Sequence, residues 1–481
     1  MKRSELIEID ETSRFADNIL NDLHFDRIFP PSVLKVLSYG CCREEIKGRR
    51  DFFRALENPD FENALGEALE EMRSFEKIKE ILKVAQSEVR RLYLRVNLAE
   101  NFVRLAGKIL KLEGYCEKAD NYAACFRSTF PESIIEQLAQ TVKRMNEILS
   151  AASEFCVSFR GKELLSKKYS PKVYYEELEQ SGKKIGLTSP AKKSFSSEFD
   201  TTLSDAYLSL FSSEAEEVKT LLAKSGNISD YDFTYEISAI SFYKQIKEFS
   251  DKVRAVGIPV CYPSFAAGKS IHIESMYDIT LFPELGNRIV PSDAHFDESE
   301  PFCFLIGANG GGKTTYLRAF GVNMVLFMTG CPVFADAANI FPMRKIFVHF
   351  PKDERFDDTG RYEEEAARAG EMLNKADSGT LLLFNETFTG TDEKKGSEMT
   401  LRVAKEVLKK GAFGLFVTHF LGVESSGFPI LQSEVVSNGT ETNKRTFRII
   451  RSKKETHSYA EDILRKYKLD RASLTEKRRS K

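Results

Sequence analysis

The chain has 481 residues, 42% of them hydrophobic, and its 70 Lys+Arg nearly cancel its 72 Asp+Glu to leave a net charge of −2. These values exclude a disulfide miniprotein and a disordered polyelectrolyte, and at roughly 100–200 residues per domain the length fits two to four domains. Eight cysteines form no CxxC pair and no His is spaced to complete a zinc site, so reduced, mostly buried thiols are expected. The segment Met1 to Leu6 lacks a signal peptide's apolar run, and the longest apolar stretch, Val322 to Ala335, is broken by Asn323, Thr329 and Pro332. A cytoplasmic protein with no membrane partner is the expectation.

Along the chain, residues 1–256 hold 9 of the 28 glycines, and residues 257–481 hold the rest. The glycine-poor part carries apolar residues at three- and four-residue intervals, as in Leu92, Leu94, Val96, Leu98, Phe102 and Leu105, then Ile134, Ile135, Leu138 and Val142. Such spacing predicts a helical domain over 1–256. Within it, Arg160 to Lys193 interrupts the pattern with Gly161, Pro171, Gly182, Gly186 and Pro190, and has nine basic residues against four acidic ones. Lys167, Lys168, Lys183, Lys184, Lys192 and Lys193, interleaved with Tyr169, Tyr174 and Tyr175, suit contact with a phosphate backbone. A solvated connector is the alternative reading of the same charges.

Beyond Gly257, short apolar runs at Phe302–Ile306, Thr380–Phe384 and Leu415–Val417 alternate with helical segments. This predicts an α/β domain over 257–475 on a mainly parallel sheet, followed by a basic tail at 476–481. The first run leads into Gly307-Ala308-Asn309-Gly310-Gly311-Gly312-Lys313-Thr314, which fits the phosphate-loop pattern G-x-x-x-x-G-K-[ST] in its strand-to-helix setting. Backbone N–H groups and the helix N-terminus would cradle phosphates, Lys313 would neutralise β/γ oxygens, and Thr314 would coordinate Mg²⁺. The second run ends in Asn385-Glu386, where a Walker B strand normally ends in Asp-Glu. Glu386 can orient or deprotonate an attacking water, whereas Asn385 offers the metal only a neutral carbonyl oxygen. The third run ends in Thr418-His419, which puts an imidazole at the same sheet edge, suited to sensing a γ-phosphate. The other five histidines, at 24, 272, 295, 349 and 457, read as structural.

The run Gly307 to Arg318, including Asn309, Thr315 and the trailing Tyr316-Leu317-Arg318, resembles the T-G-P-N-M-G-G-K-[ST]-T-Y-L-R run of MutS ATPases. Asn385 to Thr391 with Gly396, and Leu415 to Phe420, resemble that family's D-E-x-x-x-G-T and L-F-x-T-H-[FY] runs. Ile289-Val290-Pro291-Ser292-Asp293 is similar to its V-P-N-D, and Ser458-Tyr459-Ala460 to its late S-Y-A/G helix. A weaker likeness, over Asp22 to Phe29 and Ile46 to Phe53, is to the start of a MutS core domain. The resemblance implies helical core and lever regions followed by an ABC-type P-loop ATPase that binds ATP and Mg²⁺, with Ile289 near the nucleotide. It further implies a DNA-binding homodimer acting in repair or recombination. Neither a mismatch-reading wedge nor a nuclease segment is recognised, so mismatch reading is not expected. The family's trans-acting S-T-F-x-x-E appears as Gly360-Arg361-Tyr362-Glu363-Glu364-Glu365, without the serine. Gly360, Arg361, Gly390 and Thr391 are therefore expected at a dimer seam, with Thr359 or Arg361 replacing the serine. The alternatives are a solvated helix face over Glu363 to Glu371 and, for the whole protein, a nucleotide-gated clamp that hydrolyses little ATP and binds a protein partner.

Overall fold

A computed structural model describes residues 5–16, 18–86, 88–153, 156–160, 163–167, 212–224, 228–351, 361–436 and 444–452. The chain divides into two compact units, one of residues 7–54 with 242–481 and one of residues 2–6 with 55–241. This division differs from a boundary at Gly257. Residues 7–54 belong to the α/β unit, because their apolar and charged side chains are fitted to its central helix.

The helical unit contains helices Pro59–Val84, Glu88–Leu110, Glu117–Thr129, Glu132–Ser153 and Ser212–Lys224. The first is started by Asn58, whose side chain accepts from Asp60 N at 2.9 Å, and by Pro59, whose missing N–H costs nothing in the first turn. Val96, Phe102 and Leu105 are buried as the spacing predicts, whereas Ile134 is exposed. Aromatic rings fill this core: Phe75 meets Phe233 edge-on at 5.3 Å, and Phe102 meets Phe130 at 4.8 Å. An antiparallel hairpin of β1 (Cys156–Arg160) and β2 (Glu163–Lys167) opens the basic segment, which the sequence suggested only as a break in the helices.

The α/β unit is built on two sheets. A four-stranded one, not anticipated from the sequence, has the order β3 (Ser264–Phe265), β7 (Ala337–Ile340), β4 (Ser270–Met276) and β5 (Ser292–Asp297), with only β3 and β7 parallel. The six-stranded one contains β6 (Phe302–Ile306), β8 (Lys345–His349), β9 (Thr380–Asn385), β10 (Phe413–Val417), β11 (Ile430–Val436) and β12 (Lys444–Arg451). Its order is β12-β11-β6-β10-β9-β8, parallel throughout except for β12 at the edge. Strands β6, β9 and β10 are buried along their whole length, as expected where both faces of a parallel sheet are covered. One face is an aromatic cluster that includes Phe302, Phe304, Phe384, Phe416 and Phe420.

The central helix, Lys313–Met328, is apolar around most of its circumference and is buried accordingly. Its sequence overlaps the stretch Val322 to Ala335. No helix among the described residues is long and apolar enough to cross a membrane. Residues 7–54 pack at both its middle and its end. A Cβ at Gly321 would lie 2.7 Å from Leu23, leaving room there only for glycine. At the helix end, the fully buried Arg49 donates to Thr329 O at 3.2 Å, Glu8 O at 2.6 Å and Glu45 Oε1 at 2.7 Å. Among the described cysteines only Cys303 and Cys331 are buried, while Cys42 and Cys125 are exposed, so the expectation of mostly buried thiols does not hold.

Candidate active site

Strand β6 delivers the chain to the glycine loop at the carboxyl edge of the six-stranded sheet. Gly307, Gly310 and Gly312 take φ of 132°, 70° and 92°, a region that side-chain-bearing residues rarely enter. Their spacing allows the chain to fold over itself and open the helix at Lys313. Lys313 is buried, and its ammonium donates to Gly307 O at 2.8 Å, Ala308 O at 3.2 Å and Asn309 Oδ1 at 3.3 Å. Thr314 Oγ1 donates to Asn385 Oδ1 at 3.2 Å, and Lys313 Nζ lies 3.8 Å from Glu386 Oε1. Four residues from two separate sequence runs thus meet at the ends of β6 and β9.

The turn after β9 is held in an uncommon conformation. Glu386 and Phe388 have φ of 47° and 72°, positions that cost energy unless the surroundings fix them. Two bonds do so: Glu386 N donates to Val417 O of β10 at 2.9 Å, and Phe388 N donates to Glu365 Oε2 at 2.7 Å. Glu365 is buried, in helix Arg361–Lys375, so the reading of Glu363 to Glu371 as a solvated face fails at this residue. His349, read as structural, ends β8 with its Nδ1 3.0 Å from Thr387 Oγ1, in the same turn. Neither link was visible in the sequence, because both depend on strand and helix neighbours far apart in the chain.

His419 follows β10, is exposed, and lies with its ring 4.6 Å from that of Phe420. Ile289 is buried just before β5, on the four-stranded sheet. Thr315 is partly exposed in the first turn of the central helix. Tyr316 and Arg318 tie that helix to its surroundings: Tyr316 donates to Asp293 O at 2.9 Å, and Arg318 reaches Asp278 Oδ2 at 3.5 Å. Burial pushes the Asp278 carboxyl above its ordinary range and holds the Arg318 guanidinium below its own. Gly390 and Thr391 precede helix Glu393–Lys409, whose N-terminus is capped by Asp392 through Lys395 N at 3.1 Å. Arg361 begins helix Arg361–Lys375, and Gly360 lies outside the described residues. Lys167 is the last residue of β2, while Lys168, Lys183, Lys184, Lys192 and Lys193 lie outside the described residues, as does Ser458-Tyr459-Ala460.

The hairpin β11–β12 closes the loop from the side. A Cβ at Gly311 would lie 2.8 Å from Ser433 Oγ, and one at Gly312 would lie 3.2 Å from Phe447 O. Ser433 is buried and its hydroxyl has no hydrogen-bond partner among the described residues. The whole donor set around Lys313 is oxygen: the Thr314 hydroxyl, the Asn385 amide oxygen and the Glu386 carboxylate. Such donors fit a hard cation such as Mg²⁺, and the glycine loop with a buried ammonium fits phosphate.

Comparison with known proteins finds likenesses over the part of the chain that holds these residues. Residues 303–463 match MutS domain V. Over 170 residues the chain is 26% identical to Endonuclease MutS2 of Thermotoga neapolitana, covering 34% of this chain and 22% of that protein. Endonuclease MutS2 of Anaeromyxobacter sp. is 31% identical over 137 residues, covering 28% of this chain and 17% of the relative. The matched segment is about a fifth of the length of these relatives. The likeness to MutS proteins thus rests on residues 303–463, the part that holds the glycine loop and the ends of β9 and β10.

Proposed function

We propose, from the premise of a MutS domain V, that this chain binds and hydrolyses ATP and acts as a DNA-binding homodimer in DNA repair or recombination without reading mismatches. The observation that carries the reading is the convergence of Lys313, Thr314, Asn385 and Glu386 on one sheet edge. Lys313, Gly307 to Gly312 and Thr315 would hold the phosphates, and Thr314 with Asn385 would hold Mg²⁺. When bound, the metal supplies charge neutralisation across the phosphate oxygens.

Glu386 is 33% exposed and so is reachable by water. Its carboxylate accepts the proton of an attacking water, and the strained turn that Glu365 and Val417 secure keeps it aimed at the loop. Lys313 remains an ammonium and counters the charge that develops on the transferred phosphoryl group. His419 stands one strand away and senses the terminal phosphate. Ile289 borders the nucleotide, and Arg361 with Gly360, Gly390 and Thr391 forms the seam between two copies, where Arg361 supplies charge in trans. The basic segment with Lys167, Lys168, Lys183, Lys184, Lys192 and Lys193 contacts the DNA backbone.

A second reading is favoured by one observation: the residue bonded to Thr314 is the neutral Asn385, which weakens the hold on Mg²⁺. On that reading the chain is a nucleotide-gated clamp with little turnover, binding a protein partner. Phosphate release from Mg²⁺–ATP, with and without DNA, separates the two. Turnover that DNA alters supports the enzyme, and tight ATP binding without phosphate release supports the clamp.

A further inference from the structure

In the four-stranded sheet, the antiparallel pair β4 and β5 presents a polar face away from the buried Ile271, Ile273, Ala294 and Phe296. On it His272 of β4 and His295 of the edge strand β5 are directly opposed in the register. Their Nδ1 atoms lie 3.2 Å apart. Each ring is held at its other nitrogen by an acidic side chain two residues along its own strand: His272 Nε2 to Glu274 Oε1 at 3.1 Å, and His295 Nε2 to Asp297 Oδ2 at 3.3 Å. The Asp297 carboxylate is fixed in turn by Ser299, whose N–H and hydroxyl donate to its Oδ1 at 2.8 and 2.6 Å.

A carboxylate at Nε2 keeps the proton on that nitrogen, which leaves a lone pair on Nδ1. Two such lone pairs facing each other repel unless a positive charge stands between them. A borderline transition-metal ion bound by two imidazoles at about 2.0–2.1 Å in tetrahedral geometry requires their nitrogens to be about 3.3 Å apart, close to the observed separation. Glu274 and Asp297 then occupy the carboxylate–histidine–metal position that raises ligand basicity and fixes ring orientation. Asp293, on the same face of β5, adds a further negative charge.

We propose that His272 and His295 form a two-histidine site for a divalent transition metal of the Zn²⁺ or Ni²⁺ class, which staples β4 to β5. No group of three or more ligating side chains occurs among the described residues, so water completes the coordination.

The test is calorimetric titration of Ni²⁺ into the metal-free full chain with its thiols blocked, alongside His272→Asn and His295→Asn. One stoichiometric binding step is expected in the parent, weakened at least tenfold by either histidine substitution. Glu274→Gln and Asp297→Asn are expected to weaken it roughly 10- to 100-fold as positioning residues. Ni²⁺ should raise the melting temperature of the parent and leave the melting temperature of the histidine variants unmoved. The absence of a stoichiometric step, or a step of equal strength in both histidine variants, overturns the proposal and leaves a pair that shares only a proton.

Discussion

The glycine loop and the residues proposed to hold phosphate were legible because their signal is local. Gly307, Gly310 and Gly312 must be glycine for backbone reasons, and their φ values of 132°, 70° and 92° meet that demand. Asn385 stood out for the same reason, as a single change at a strand end whose usual occupant is charged. Its contact with Thr314 at 3.2 Å connects the two motifs directly. Asn385→Asp is therefore expected to lower the Mg²⁺ concentration needed for half-maximal nucleotide binding, measured by titrating Mg²⁺ against a fluorescent ATP analogue. An unchanged midpoint would mean that this side chain does not face the ion. The contacts of Glu365, His349 and Ser433 were not legible, since each matters through a neighbour brought to it by another element. Glu365 was read as the glutamate of a signature that reaches across a dimer, or else as part of a solvated helix face, yet it is buried and receives the Phe388 N–H of its own chain.

At the scale of elements, the alternation of strand and helix after residue 300 was readable from buried apolar runs, and β6, β9 and β10 follow it. The four-stranded sheet was missed because its strands alternate a polar face with a buried one and pair across long separations, as β4 does with β7. The placement of residues 7–54 was hidden for a similar reason: a helical pattern reports that a segment has an apolar face, not what covers it. Arg49 shows the link plainly, bonding Thr329 at the end of the central helix. Next to it, Gly330 has φ of 75°, and a Cβ there would lie 2.6 Å from Arg49 Cβ. Gly330→Ala should cost about 1–3 kcal/mol through backbone strain and overpacking, read from urea unfolding. A loss below a few tenths of a kcal/mol would show that this junction yields easily.

At the scale of the whole molecule, the proposed function requires two copies and a nucleic acid. Sedimentation with ATP should reveal a dimer, because residues near Thr391 would complete a site in the other copy; a monomer with and without ATP would remove the seam from the account. For DNA, replacing Lys167, Lys168, Lys183 and Lys184 with Glu should weaken binding strongly and flatten its dependence on salt, since each lost phosphate contact releases fewer counterions. Equal affinity and slope would return the segment to the role of a connector. Whether Lys313, Thr314, Asn385 and Glu386 together make a working ATPase site is decided by phosphate release from Mg²⁺–ATP by the parent and by Glu386→Gln, with ATP binding measured on the same samples. The variant is expected to bind ATP as the parent does and to turn it over on the order of 10²-fold more slowly or worse. Equal turnover in the two proteins would contradict this expectation.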